Sequence, residues 1–282
     1  LKLFDYHIHT VRCKHAEGEM ERYVQAGIAA GLAEMGFGDH LPLPMEGPSP
    51  WNMLADELPL YVNDVLELRK KYPHFPIRLG VELDYFEGHE DALRRIVNSQ
   101  PLDYVIGSTH FIPPGSIREN PLEPDHLFCI DSPSQIDEWK RHAVDDVYRA
   151  HIGQMEKLVR SGLCHIVGHV DLPKKFGFRP SPEVMDDYRR LAGVIAEHGL
   201  ICEINTAGLR KPVREMYPGP DLLKILRDAG VGVTLGSDSH KPEEVGADFS
   251  AAVELARSAG YTHLHKWKSP GVFAPVAIGV PA

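Results

Sequence analysis

Cysteine is scarce in this chain. The four residues, Cys13, Cys129, Cys164 and Cys202, lie far apart and form no C-x-x-C pair, which excludes zinc-ribbon and thioredoxin-type motifs. A chain of this length needs no disulfide framework, consistent with a reducing compartment. Positive charge is also short: 30 Lys and Arg face 40 Asp and Glu, a net charge of −10. That balance argues against binding nucleic acid by general charge attraction. No long hydrophobic run is present, and the most apolar stretch, GVFAPVAIGVPA at 271–282, is too short and too interrupted by Pro and Gly to span a bilayer. The opening LKLFDYHIHT has no basic region followed by an apolar one, so no secretory signal is read there and a cytoplasmic protein is expected. No G-x-G-x-x-G follows the first predicted strand, which removes the usual dinucleotide-binding sheet. With no repeat, low-complexity tract or composition break, one domain over residues 1–282 is expected, the Pro-rich stretches 41–50 and 111–125 being inserted loops.

What the chain does have is apolar content (43%) sufficient for a folded core, and 16 histidines. Short β-type runs fall at 2–6, 33–37, 77–83, 103–108, 163–168, 200–204 and 231–235. Between them, helical spacing covers 19–31, 54–71, 88–98, 134–161, 182–198, 219–229 and 242–259. Ser181-Pro182 reads as a cap and first helical position, and Gly230 and Gly260 as C-terminal stops. Seven strand–helix units predict an α/β protein, a distorted (β/α)7 barrel one unit short of a TIM barrel.

The histidines and carboxylates are placed, not scattered. Strand one is followed by His7 and His9, strand two by Asp39 and His40. Strand three ends in Glu82, with Asp84 two residues on. His110 follows strand four; His169 and Asp171 follow strand five. Strand six carries Glu203 and Asn205, and Asp238 and His240 follow strand seven. The C-terminal ends of parallel barrel strands converge on one face, where such folds build active sites. Positions i and i+2 of an extended segment point the same way, so His7/His9 and Asp238/His240 each offer two ligands to one side. Imidazole with carboxylate suits Zn, Fe or Mn, and the ligands are too many for one tetrahedral ion, implying two or three divalent ions. His165 is expected inside the barrel. His142 is a residue that can turn inward from its helix, whereas His74, His89, His126, His151, His198, His263 and His265 are expected at the surface.

The motifs H-I-H (7–9), G-D-H (38–40), G-V-E (80–82), G-S-T-H-F (107–111), G-H-V-D (168–171) and G-S-D-S-H (236–240) resemble those of the polymerase-and-histidinol-phosphatase (PHP) superfamily. P-K-K-F-G (173–177) and N-T-A-G-L-R-K-P (205–212) resemble its monofunctional histidinol-phosphate phosphatases. The resemblance runs to about residue 260 and implies a trinuclear site: one ion on His7, His9, Glu82 and Asp238; a second sharing Glu82 with His110 and His169; a third on His15, His40 and His240. It further implies that Asp39, Asp171 and Glu203 orient those ligands through hydrogen bonds, and that Glu82, Asp238 and His240 stand at the reaction itself.

Clustered divalent ions supply hydroxide at neutral pH and clamp phosphoryl oxygens. The resemblance implies that the reaction is hydrolysis of L-histidinol phosphate, a step of histidine biosynthesis, by a hydroxide bridging metals and without a phosphoenzyme. Arg210, Lys174, Lys175 and Arg179 are the candidate phosphate-binding cations. Glu46, Glu87 and Glu119 are candidates for the substrate amine. The alternatives are a PHP-type phosphoesterase acting on another small ester or on nucleic-acid ends, and an amidohydrolase-type deaminase. No membrane or nucleic-acid partner is expected, and homo-oligomerisation is left open.

Overall fold

The computed structural model describes residues 2–45, 50–117, 122 and 127–279. Seven strands form one parallel sheet: β1 (Phe4–Asp5), β2 (Glu34–His40), β3 (Ile77–Asp84), β4 (Tyr104–Ser108), β7 (Ile166–Val167), β8 (Ile201–Asn205) and β9 (Gly232–Gly236). They hydrogen-bond in the order β1-β2-β3-β4-β7-β8-β9, so each expected strand is present and in sequence. The sheet curls nearly shut. Tyr6 N–H donates to Leu235 O at 3.2 Å and His9 N–H to Ser239 O at 3.0 Å, joining the two edges. Asp5, buried in that seam, accepts from Ser237 N–H at 2.9 Å and from Gly246 N–H at 3.0 Å.

Burial on both faces explains the lack of simple alternation. All seven residues of β2 are buried, as expected for parallel strands covered by helices. Along β3, Leu79, Val81 and Leu83 pack into the apolar cluster shared with the helices, which turns Gly80, Glu82 and Asp84 to the opposite face. Tyr104 fills space beside that face, and its hydroxyl donates to Tyr6 O at 2.6 Å. A Cβ on Gly36 or Gly80 would lie 2.3 Å from the Tyr104 side chain, so these two strand glycines make room for one aromatic ring.

The helices are α1 (Met20–Ala29), α2 (Leu58–Lys71), α3 (Glu90–Asn98), α4 (Ile136–Trp139), α5 (Val144–Ser161), α6 (Val184–Glu197), α7 (Pro220–Asp228) and α8 (Phe249–Ser258). Gly230 and Gly260 have φ of 82° and 95° just past α7 and α8, the left-handed conformation that ends a helix. Three expectations need correcting. The helix expected over 134–161 breaks between α4 and α5, where buried Trp139 stacks on Phe178 at 4.5 Å and His142 turns back to Glu138 at 2.9 Å. The helix expected from 242 starts only at Phe249, because Gly246 and Asp248 both take positive φ. Ser181 caps nothing with its side chain; its hydroxyl and N–H both donate to Asp145.

Two short hairpins lie outside the barrel sheet: β5 (Phe111–Ile112) with β6 (Phe128–Cys129), and β10 (His263–Ser269) with β11 (Val272–Ala277). The second carries the segment without a motif. Trp267 N–H donates to Tyr6 Oη at 2.9 Å, Gly271 N–H donates to Asp103 O at 2.8 Å, and Arg78 stacks over Trp267 at 3.7 Å. These contacts fix the hairpin near the start of β4, at the end of the barrel away from the histidines. His165 belongs to that end too: half-buried rather than interior, it accepts from Val105 N–H at 3.0 Å through Nδ1. His151 is buried, not on the surface, and His126 lies outside the described residues.

Candidate metal centre

The strand ends bring five imidazoles around one carboxylate. Glu82 Oε2 lies 3.4 Å from His7 Nε2, 3.5 Å from His9 Nε2 and 3.2 Å from His40 Nδ1. Its other oxygen lies 2.9 Å from His169 Nε2 and 3.7 Å from His110 Nε2. The rings close a circuit, with centroids 5.0 Å apart for His7–His9, 4.7 Å for His9–His40, 5.4 Å for His40–His110, 5.1 Å for His110–His169 and 5.7 Å for His169–His7. Asp238 Oδ1 joins at 3.1 Å from His9 Nε2. His240 stacks on His9 at 4.2 Å, and His15 on His240 at 4.7 Å.

The outer nitrogens of these rings are held. A carboxylate or carbonyl oxygen only accepts, so each ring nitrogen that bonds one carries the proton. His7 Nδ1–H donates to Glu203 at 2.8 Å, His9 Nδ1–H to Asp39 at 3.3 Å and His110 Nδ1–H to Asp84. His15 and His240 donate in the same way to the carbonyls of Cys13 and Asp238, at 2.7 and 3.0 Å. With Nδ1 so occupied, these five rings keep Nε2 for a cation or a second proton, the arrangement typical of metal-ligating histidine. Two such nitrogens, on His7 and His9, face each other at 3.1 Å, a repulsive contact unless a cation or proton lies between them. His40 Nδ1 is buried without a hydrogen bond. Three-residue sets able to hold an ion include His7–His9–Glu82, His7–His169–Asp238 and His40–Glu82–His110. The donor set fits divalent transition metals.

The electrostatics agree. Burial alone would keep His7 and His9 neutral, but Glu203, Glu82 and Asp238 around the first, and Asp238 and Asp39 beside the second, raise both pKa values well above the ordinary range. His110, despite burial, is pushed up to about 10 by Asp84 and Glu82. Burial would raise Glu82, yet His40, His7 and His110 hold it well below the usual carboxylate range. The cluster thus demands positive charge at its centre. Burial and neighbouring imidazoles instead lower His15, to about 4, and His240. The backbone is unusual at two of these positions: His169 and Asp238 have φ of 34° and 50°, strain of a kind that collects at functional sites.

The cluster floors a cavity of about 310 Å³. Of the expected cations, only Lys175 lines it, and its Nζ donates to Asp131 at 2.9 Å. Lys174 is buried and bonded to Asp171, Glu215 and Met216 O at 2.7, 2.5 and 2.7 Å. Breaking such a buried pair costs about 3–5 kcal/mol, more than the roughly 1.5–3 kcal/mol a charged hydrogen bond returns, so Lys174 stays where it is. Arg179 is half exposed and pairs with Glu215. Arg210 does not line the cavity; it donates to Ser237 O at 2.5 Å and faces Glu244, which does, at 3.5 Å. Asp171 touches no ligand histidine; it binds Lys174 and accepts from Gly219 N–H at 2.8 Å. Asp39 and Glu203 contact the rings of His9 and His7, both candidate ligands. Glu87 pairs with Lys157 at 2.6 Å and does not line the cavity, while Glu46 and Glu119 lie outside the described residues.

Sequence reasoning placed Asp84 and Asn205 at strand ends without giving them a role, and missed several loop residues. Asp84 orients His110 and accepts from Asn52 at 2.8 Å; its i+2 spacing from Glu82 was the available signal. Asn205 bridges Glu203 and Asp238 at 2.9 and 3.1 Å. Lys211, Lys241, Trp51 and Asp131 line the cavity from loops with no periodicity to mark them.

Residues 5–207 match the family model described as the PHP domain. The chain belongs to the PHP domain family. It is 36% identical over 259 residues to a Deinococcus radiodurans protein named "Probable histidinol-phosphatase", covering 92% of this chain and 94% of that one. It is 26% identical to the histidinol-phosphatase of Bacillus subtilis, covering 89% and 98%. It shares its fold with the histidinol phosphate phosphatase of Lactococcus lactis, whose crystal structure is complexed with zinc, L-histidinol and phosphate; the TM-score is 0.77 at 21% identity, covering 97% and 99%.

Proposed function

We propose that this PHP-family protein is a metal-dependent phosphatase that hydrolyses L-histidinol phosphate to L-histidinol and phosphate at a trinuclear centre. The observation that carries the metal part is the set of Nε2 atoms turned inward by hydrogen bonds at Nδ1, around Glu82. The substrate part is supported by the names of the relatives and by the ligands of the Lactococcus lactis protein.

His7, His9, Glu82 and Asp238 would hold one ion, His110 and His169 with Glu82 a second, and His15, His40 and His240 a third. Such ions supply hydroxide at neutral pH and neutralise phosphoryl oxygens. The chain's own part is to position. Glu82, with its two oxygens facing different histidines, is placed to be shared. Glu203 and Asp39 fix the tautomers of His7 and His9, and Asn205 holds Asp238 Oδ2, leaving Oδ1 toward His9. Lys211 lines the cavity and makes no ion pair among the described residues, which makes it a better phosphate-binding cation than Arg210.

Protein purified without chelator should carry two to three equivalents of Zn, Fe or Mn combined. It should release phosphate from L-histidinol phosphate and p-nitrophenyl phosphate, and act on neither a phosphodiester nor a dihydroorotate-like amide. One equivalent or less after metal supplementation, or turnover of the amide alone, overturns the reading.

A further inference from the structure

We propose that Asp131 determines specificity by taking the ammonium group of a cationic phosphate monoester, an inference that rests on the phosphatase reading above. The cavity is polar in one direction. Lys211 and Lys241 line it together with His240. The rings His240, His9, His40 and His110 then step across the floor at 4.2, 4.7 and 5.4 Å. Asp131 stands at the His110 end, because Ile130 N–H donates to His110 O at 3.0 Å and β6 pairs with β5 directly after His110. Trp139 Nε1–H braces the same segment by donating to Ile130 O at 2.8 Å.

The other carboxylates on the cavity wall are committed to the imidazoles or their loop. Glu82, Asp84 and Asp238 face imidazoles, and Glu244 accepts from His240 N–H at 3.0 Å. Asp131 instead accepts from Lys175 Nζ at Oδ2 and from the thiol of Cys129 at Oδ1, 3.3 Å away. A thiol is a weak donor, so a substrate ammonium outcompetes it at Oδ1 while Lys175 keeps Oδ2. Phe111, Pro133 and Leu172 supply apolar wall around the cavity for a flat ring. An ester with its phosphate over the histidine cluster and its ammonium toward His110 fits this arrangement, whereas an ester without the amine leaves Asp131 Oδ1 with only the weak thiol donor.

The test compares L-histidinol phosphate with its deaminated analogue, and phosphoethanolamine with ethyl phosphate, in metal-loaded wild type, Asp131→Asn, Asp131→Glu and Lys175→Met. The wild type should prefer each amine-bearing ester. Asp131→Asn should shrink that kcat/KM ratio roughly 10–100-fold, the size of a lost charge-assisted contact, and Asp131→Glu should keep part of it. Equal losses on both members of each pair, reproduced by Lys175→Met, would make Asp131 only a prop for Lys175 and overturn the proposal. Indifference of the wild type to the amine in both pairs overturns it as well. A wild type that rejects histidinol phosphate yet prefers phosphoethanolamine, with that preference lost in Asp131→Asn, upholds the role of Asp131 and removes only the histidinol phosphate reading.

Discussion

Lys211 and Arg210 are neighbours in sequence with different surroundings: Lys211 lines the cavity and Arg210 does not. Lys211→Ala should lower kcat/KM on a phosphate monoester about 10–100-fold with metal content unchanged, the loss of one charged contact. Arg210→Ala should lower metal content, because Arg210 braces Ser237 and Glu244 beside Asp238 and His240. Elemental analysis alongside kinetics separates the two, and metal-replete Arg210→Ala with weakened phosphate binding would reverse the assignment. His151 gives a prediction in pH. Burial, with His169 and His110 nearby, pushes its pKa down to about 3 from an ordinary 6.5. The unfolded chain then binds the extra proton between those values, so this group's contribution is intact above pH 6.5 and lost as pH falls toward 3. Between pH 7 and 5 that is about 2 kcal/mol. Urea titrations should show His151→Phe losing about that much less stability than wild type over the same interval; parallel losses would contradict it. The candidate ligand residues gathered round Glu82 were legible in sequence because they lie at strand ends, where direction is set by the backbone. The surroundings of Arg210 were not legible: its position after strand six says where the chain runs, not where a long side chain ends.

At the scale of elements, the seven strands were legible from apolar runs, and the helices from their period. Their limits were not. The break before α5 depends on Trp139 finding Phe178, a partner distant in sequence, and the late start of α8 on positive φ at Asp248, which no propensity marks. The hairpin β10–β11 was opaque for a similar reason, since its apolar residues pack on a barrel end that exists only after folding. It should be a stability element. Trp267→Ala removes the ring under Arg78 and the bond to Asp103 O, and for a half-buried aromatic should cost about 2–3 kcal/mol. Chemical denaturation measures that loss, while kcat/KM should stay within twofold; a kinetic defect with unchanged stability would mean that this hairpin acts on the active face.

For the whole molecule, closure of the sheet and formation of the site are one event. The strand ends gather carboxylates and imidazoles whose donor set fits divalent cations. Removing metal with a chelator should therefore abolish phosphatase activity and lower the melting temperature together, and restoring Zn or Mn should raise both, because an ion bound only by the folded chain stabilises it by mass action. An unchanged melting temperature after verified metal removal would disconnect the centre from the fold. Among the described residues no helix is long and apolar enough to cross a membrane. The most direct test of the central claim is kcat/KM for L-histidinol phosphate against glycerol phosphate, measured on the same metal-loaded preparation. Histidinol phosphate should be preferred by at least about 100-fold, the sum of an ammonium contact and a buried ring. Equal values for the two esters would contradict it, leaving a metal-dependent phosphoesterase whose substrate lies elsewhere.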